Sequence, residues 1–97
     1  MNAIVEKPYV LRLYVTDATP KSARAIVNTR RLLEEYLPGL YTLQILNIAE
    51  NVAQATADQI VCVPTLLRVA PPPARRIIGD MSDVARVLKG LDVRIEL

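Results

Sequence analysis

The first forty-eight residues constrain the fold most, because two different periodicities follow one another there. Apolar side chains occupy alternate positions from Tyr9 to Val15, which is typical of a strand. Thr19 and Pro20 then provide a helix N-cap and a first-turn proline, and apolar residues recur at helical spacing until a Pro-Gly pair ends the helix. Residues 41–48 are predicted to form a second strand. A strand, a helix and a strand within about forty residues predict a parallel, right-handed crossover unit.

The second half of the chain gives conflicting local signals. Residues 51–59 are rich in alanine and permit a helix, whereas residues 65–69 could form a strand or one turn of helix. Ser82 is a good N-cap for a helix that continues to Leu91, yet apolar and charged residues alternate over 91–97 as in a strand. Gly90 lies where these two patterns meet, so the sequence leaves the end of the chain open between helix and strand.

Size and charge indicate one small domain with a protein partner. The chain has 97 residues, 52% of them apolar, and its aromatic residues are four tyrosines, which favours a partner or subunit surface. A net charge of +2 is too small to indicate nucleic acid, while nine of the twelve basic residues are arginine, which pairs well with carboxylates. With neither a signal-peptide pattern nor a long apolar run, we expect a cytoplasmic protein that binds no membrane.

The chain lacks the residues that most enzymes and metal sites need. It has no histidine, so there is no imidazole base, and its one cysteine forms neither a thiol pair nor a Cys/His metal cluster. Cys62 lies in the apolar run 60–63, where we expect a buried and unreactive thiol. We therefore predict a protein that is not an enzyme and needs no cofactor.

The stretch from Cys62 to Asp80, CVPTLLRVAPPPARRIIGD, is typical of a binding surface. Its Val-Pro-Thr-Leu turn resembles the way thioredoxin-like domains begin a central strand, often through a cis peptide before the proline, here Pro64. The position of their Cys-x-x-Cys motif is occupied by residues 16–19, Thr-Asp-Ala-Thr. The triple proline could be a rigid connector or a slow cis/trans element.

Several motifs together resemble the KaiB family of circadian clock proteins. They are YVLRLYV, TPKSARA, PTL, PPPARRIIGD followed by serine, and KGLD. The resemblance is strongest over residues 9–92, and we treat residues 1–97 as one KaiB-like domain. A related sensor-kinase input domain shares the fold but is a poorer match, because it lacks the proline-arginine block.

The resemblance implies an α/β protein with two folds. One is a thioredoxin-like monomer with the element order βαβαββα, in which residues 51–59 and 82–91 are helices and residues 65–69 and 76–79 are strands. The other is a tetrameric ground state with the order βαββααβ, in which residues 91–97 form the last strand. Two such packings must lie within a few kcal/mol of each other. The predicted fold-switch residues are Gly90, Asp92, Pro64, Pro71, Pro72 and Pro73.

The resemblance also implies partners. A thioredoxin-like monomer would bind a KaiC-type ATPase ring, and KaiA-like or sensor-kinase-like clock proteins are further candidates, beside a homo-oligomer that is a dimer or a tetramer. The cationic residues expected at the interface are Lys7, Arg12, Arg24, Arg68 and Arg75. Charge-assisted hydrogen bonds would orient the domain on acidic groups while apolar contacts hold it.

The sequence also departs from the family pattern. Residues 16–18 replace an Ala-Gly-Asn loop, Gln44 and Asn47 replace a lysine and an aspartate, Val52 replaces a proline, and an acidic tail is missing. These changes are expected of a divergent paralogue with a role in stress response or metabolic timing. Two other functions stay open, a thioredoxin-like redox protein that uses Cys62 and a purely structural homo-oligomer.

Overall fold

A computed structural model describes residues 7–17 and 19–93 of the chain. Its elements are β1 (Tyr9–Val15), α1 (Pro20–Tyr36), β2 (Tyr41–Asn47), a 3-10 turn (Ile48–Glu50), α2 (Val52–Ala57), β3 (Thr65–Ala70), β4 (Arg75–Ile78) and α3 (Val84–Gly90). The order of strands and α-helices is βαβαββα, as expected for the first of the two folds.

The four strands form one mixed sheet with the order β2-β1-β3-β4. β1 pairs with β2 in parallel, from Tyr9 opposite Tyr41 to Val15 opposite Asn47, so the predicted parallel crossover is confirmed. β3 is antiparallel to both of its neighbours, β1 and β4. β2 and β4 are therefore the edge strands.

Helix α1 begins where the sequence predicts. The Thr19 hydroxyl accepts a hydrogen bond from the Ser22 amide at 3.1 Å, and Pro20 occupies the first turn, where its missing N–H costs no helical hydrogen bond. The helix ends at Tyr36, and Gly39 follows with φ +74, a left-handed conformation that favours glycine.

Strand alternation divides the apolar residues between two layers. Leu11 and Leu13 of β1 pack with residues of α1 and α3 in the main core. Tyr14 faces the opposite side and packs with Leu46 of β2 and Ala55 of α2. Thus α1 and α3 cover one face of the sheet and α2 covers the other.

The structure settles the conflicting signals of the second half. Residues 65–69 belong to a strand, because β3 lies between two other strands and is buried at Thr65, Leu66 and Leu67. Helix α2 is shorter than the predicted 51–59, and the strand predicted at 76–79 begins one residue earlier, at Arg75.

The predicted N-cap of α3 is wrong. Asp83, not Ser82, caps the helix, since its side chain accepts a hydrogen bond from the Arg86 amide at 3.1 Å. The Ser82 amide is instead bound by the Asp80 carboxylate. A carboxylate in either position is a stronger acceptor than a hydroxyl.

The peptide bond between Val63 and Pro64 is cis, and so are those between Ala70 and Pro71 and between Pro72 and Pro73. After α3, Leu91 and Asp92 form a turn. The strand expected over 91–97 in the alternative fold lies mostly outside the described residues.

Candidate partner-binding site

The five cationic residues predicted at an interface do not form one surface in this fold. Lys7, Arg24 and Arg75 are exposed, Arg12 is half-buried, and Arg68 is buried. Three of the five therefore have side chains that a partner can reach, and two interact inside the protein.

Arg12 is held by a carboxylate that the sequence analysis did not single out. Its Nη1 donates to both Asp58 oxygens, at 3.0 and 2.9 Å, and the Tyr14 hydroxyl donates to the same carboxylate at 2.5 Å. Arg12 and Tyr14 share one face of β1, and Asp58 is the C-cap residue of α2. The ion pair therefore attaches α2 to the central strand, and its side chains are 24% and 13% exposed.

The electrostatics of this cluster follow from its geometry. Burial acts to raise the pKa of Asp58, but the hydrogen bonds from Tyr14 and Arg12 and the Arg12 charge outweigh it, so the pKa lies below its ordinary value. Burial, and then the hydrogen bond to Asp58, raise the pKa of Tyr14 well above its ordinary value. Asp58 is thus ionised and Tyr14 protonated at neutral pH.

Arg76 is a third residue that binds Asp58. Its Nε and Nη2 donate to the Asp58 carbonyl oxygen at 3.0 and 2.8 Å. Asp58 therefore joins β1, α2 and the edge strand β4. Its contacts are 44 to 46 residues away along the chain on β1 and 18 away on β4, so no local pattern could have revealed them.

Arg68 points into the main core. Its side chain is on the same face of β3 as Leu66, and the residue is 3% exposed. Nη1 donates to the Leu91 carbonyl at 2.5 Å and Nη2 to the Pro73 carbonyl at 2.8 Å. The guanidinium is therefore not on the surface of this fold.

Arg24 is an exposed cation that pairs with a carboxylate of the protein, Asp80. It lies on α1 with its side chain 57% exposed, and its Nε is 3.3 Å from an Asp80 oxygen. The side-chain Nδ2 of Asn28 donates to the Asp80 backbone carbonyl at 3.0 Å, so α1 holds the Gly-Asp turn that follows β4. Hydrogen bonds from Ser82, and a weaker effect of Arg24, lower the pKa of Asp80.

Arg24 and Arg75 mark the two ends of one edge of the sheet. Arg75 is the first residue of β4, and Arg24 contacts Asp80 just beyond the last. Ile78, the last residue of β4, is 45% exposed on the same edge strand. We call Arg24, Arg75 and Ile78 the β4 edge surface; it combines two cations with apolar area.

The predicted burial of Cys62 is wrong. The thiol is exposed, and its neighbour Val61 is 88% exposed, because the chain bends here between α2 and β3. The two outer residues of the run, Ile60 and Val63, pack against the Tyr14 cluster. Exposure makes the thiol accessible but supplies no second thiol.

Hydroxyl groups line the start of α1, where the sequence analysis expected the equivalent of a Cys-x-x-Cys motif. An open groove of about 420 Å³ at the start of α1 is lined by residues that include Thr16, Thr19 and Ser22. The Thr16 amide donates to the Ser22 hydroxyl at 3.1 Å. None of the described residues form a group of three potential metal ligands.

The predicted fold-switch residues occupy tight or unusual positions. A Cβ added at Gly90 would overlap the Ile77 Cδ1 atom and lie 3.2 Å from Cγ1. Asp92 has a left-handed backbone, φ +53. Pro64 is buried at the start of β3, and the triple proline, Pro71 to Pro73, is exposed between β3 and β4. Their role in switching stays a prediction.

No helix within the described ranges is long and apolar enough to cross a membrane.

Solved structures with this architecture are thioredoxin-like. The N-terminal domain of Synechococcus elongatus SasA has a TM-score of 0.71 at 19% identity, covering 100% of this chain and 94% of that one. Mitochondrial thioredoxin 3 of Saccharomyces cerevisiae has a TM-score of 0.70 at 13% identity, covering 89% and 78%. At these identities the likeness concerns the fold, and the predicted thioredoxin-like fold is confirmed.

Sequence comparison is more specific. The chain is 45% identical over 94 residues to the circadian clock oscillator protein KaiB of Microcystis aeruginosa, covering 97% of this chain and 90% of that protein. It is 48% identical over 87 residues to the protein of the same name from Prochlorococcus marinus strain MIT 9313, covering 90% and 73%. The KaiB domain family model matches residues 12–93. The chain therefore belongs to the KaiB family.

Proposed function

We propose that this chain is a non-enzymatic regulatory adaptor that binds a KaiC-type ATPase ring and modulates its phosphorylation or ATPase cycle. The observation that carries the proposal is the 45% to 48% identity to proteins named as circadian clock oscillator components, over 90% to 97% of the chain. The output is circadian timing or a related timing or stress response. Such an adaptor acts in the cytoplasm and needs no cofactor.

The β4 edge surface is the proposed contact with the ATPase. Arg24 and Arg75 are exposed and can reach acidic groups of a partner, and Ile78 supplies exposed apolar area on the same edge strand. Arginine at the rim fixes orientation and apolar contact contributes most of the affinity. Lys7, exposed before β1, is a further cation at the Arg75 end of the sheet.

Binding is coupled to a change of fold in this proposal. The ground state is a homo-tetramer or dimer, and the thioredoxin-like monomer is the state that binds. The competing helix and strand patterns at 82–97 support two packings of similar free energy. Gly90, Asp92 and the four prolines Pro64 and Pro71 to Pro73 are the proposed control points, and KaiA-like or sensor-kinase-like proteins are proposed as further partners of the same monomer.

The test mixes the purified chain with a KaiC-type ATPase from the same genome in the presence of ATP. Complex formation is followed for a day by native mass spectrometry and size-exclusion chromatography. We expect slow assembly towards one protomer per ATPase subunit, because a change of fold precedes binding. A tetramer that persists with no complex would leave a structural homo-oligomer as the function.

Reversing the charge of single arginines in the same assay tests whether the β4 edge surface binds the ATPase. Arg24→Glu and Arg75→Glu should each weaken the complex about tenfold or more, because reversal replaces an attraction to acidic groups by like-charge repulsion. Arg30→Glu is the matched control, because Arg30 is an exposed arginine of α1 that lines a groove with Tyr41 of the other edge strand. Equal losses in all three variants would indicate a non-specific charge effect.

A further inference from the structure

Arg68 is a charged residue whose side chain is buried in the main core. It is 3% exposed, and its two terminal nitrogens each donate to a backbone carbonyl, those of Leu91 and Pro73. Nε is also buried and has no hydrogen-bond partner among the described residues. Burial of a guanidinium is costly unless its hydrogen bonds are made, so the loss of either carbonyl would leave a further buried donor unpaired.

The two carbonyls belong to segments that are far apart in the sequence. Leu91 is the C-cap residue of α3, where the helix dipole is negative and a cation is favourable. Pro73 ends the triple proline between β3 and β4. One side chain on β3 therefore binds both the end of the last helix and the proline loop.

Helix α3 depends on such contacts, because it has only seven residues. Helices this short are unstable in water without tertiary packing. Val87 is its buried residue, and Leu91 follows as a second apolar contact with the core. On its exposed side, the Arg86 guanidinium donates to the Ile78 carbonyl at 2.8 Å. A short helix that depends on a few tertiary contacts and a charged anchor at its end can open without the rest of the sheet.

We infer that Arg68 is an internal anchor which holds α3 and the proline loop on the sheet, and that loss of its two hydrogen bonds opens α3 locally while β1, α1 and β2 stay folded. Arg68 then acts on a partner only through the position of α3. This role differs from the surface role predicted for it from the sequence, and it can be tested on the free protein.

Hydrogen exchange of the backbone amides measures local opening directly. The probes are the amides of Val87 and Leu91, which bind the carbonyls of Asp83 and Val87, and the reference is β1. In Arg68→Met we expect exchange of the α3 probes to accelerate roughly ten- to a hundredfold, the effect of losing hydrogen bonds to a charged group, with little change in β1. Arg68→Lys keeps the charge but cannot donate to both carbonyls in the same geometry. The exchange rates of its α3 amides should therefore lie between those of Arg68→Met and those of the natural protein.

Arg75→Met is the matched control, because Arg75 lies directly opposite Arg68 in the β3 and β4 register but is exposed. Its α3 exchange should equal that of the unchanged protein. Equal exchange rates in Arg68→Met and Arg75→Met would overturn the anchor. If Arg68→Met fails to fold, the lysine variant decides: acceleration confined to α3 and the proline loop supports the anchor, and uniform acceleration across β1 and α3 refutes it.

Discussion

Gly90 lies directly against the side chain of Ile77, so that a methyl group at position 90 would overlap Ile77 Cδ1. Gly90 is the last residue of α3, and Ile77 is the buried residue of β4. The contact joins β4 to the helix whose end the sequence left open between helix and strand. At position 90 a larger side chain would therefore gain helix propensity but would clash with Ile77.

Gly90→Ala should therefore change stability less than helix propensity alone predicts. Alanine favours the helix by about 1 kcal/mol, but Ile77 must leave its present rotamer, and Cγ1 at 3.2 Å leaves little room. Ile77→Val removes Cδ1 and alone costs about 0.5 to 1.5 kcal/mol. We expect the free energy of unfolding of the double variant, measured with urea, to exceed by about 1 kcal/mol the value obtained by adding the effects of the two single changes. Additivity within about 0.5 kcal/mol would contradict the contact.

The Asp58 cluster should contribute strongly to the thioredoxin-like fold. Asp58→Asn removes the charge that Arg12 and Tyr14 bind, and leaves Arg12 half-buried without a counter-charge. We expect a loss of about 1.5 to 3 kcal/mol in the free energy of unfolding. Tyr14→Phe removes one hydrogen bond and should cost less, about 1 kcal/mol. A larger loss for Tyr14→Phe than for Asp58→Asn would show that the tyrosine hydroxyl, and not the charge of Asp58, dominates the cluster.

The same cluster predicts a pH dependence. The folded pKa of Asp58 lies below its unfolded value, which is about 3.9 for aspartate, so its stabilisation is complete above that value and is lost as pH falls through the folded pKa. The difference in stability between the natural protein and Asp58→Asn should be constant from pH 5 to 7 and shrink towards pH 3. Because Asp80 also has a lowered pKa, this difference, and not the absolute stability, is the quantity to compare. A difference that grows on acidification would contradict the assignment.

Local sequence patterns predicted the first half of the fold well. The alternation in β1 and the Thr-Pro start of α1 depend on neighbouring residues, and both elements lie where they were predicted. The Cys62 to Asp80 motif and the resemblance it supports predicted the element order of the second half. The uncertainty at 65–69 arose because β3 is an interior strand without alternation.

The candidate site was harder to predict because charge in a sequence does not indicate exposure. Five cations were assigned to an interface, yet Arg12 binds Asp58 and Arg68 lies in the core. Asp58 itself carries no motif, and its partners are distant in sequence. Cys62 shows the converse, an apolar run that a bend exposes to solvent.

Thr29 offers a route to a more stable protein. It is 1% exposed on α1, and its hydroxyl has no hydrogen-bond partner among the described residues. Valine has nearly the same shape without the buried polar group, so Thr29→Val should raise the free energy of unfolding by about 1 kcal/mol. Thr29→Ser is the control, since it keeps the hydroxyl and loses the methyl group, and it should be destabilising. A valine variant less stable than the natural protein would show that the hydroxyl has a partner.

A substitution at Cys62 distinguishes the proposed adaptor function from a redox function. Because the thiol is exposed, rapid alkylation by iodoacetamide in the native state is expected for either function and does not distinguish them. Cys62→Ser does, because an adaptor that binds through arginine and apolar side chains needs no sulfur, whereas a redox protein with one cysteine needs that one. We expect the serine variant to assemble with the KaiC-type ATPase at the rate of the natural protein, in the same native mass spectrometry assay. Loss of assembly in Cys62→Ser, with the fold intact by circular dichroism, would show that the thiol takes part in function.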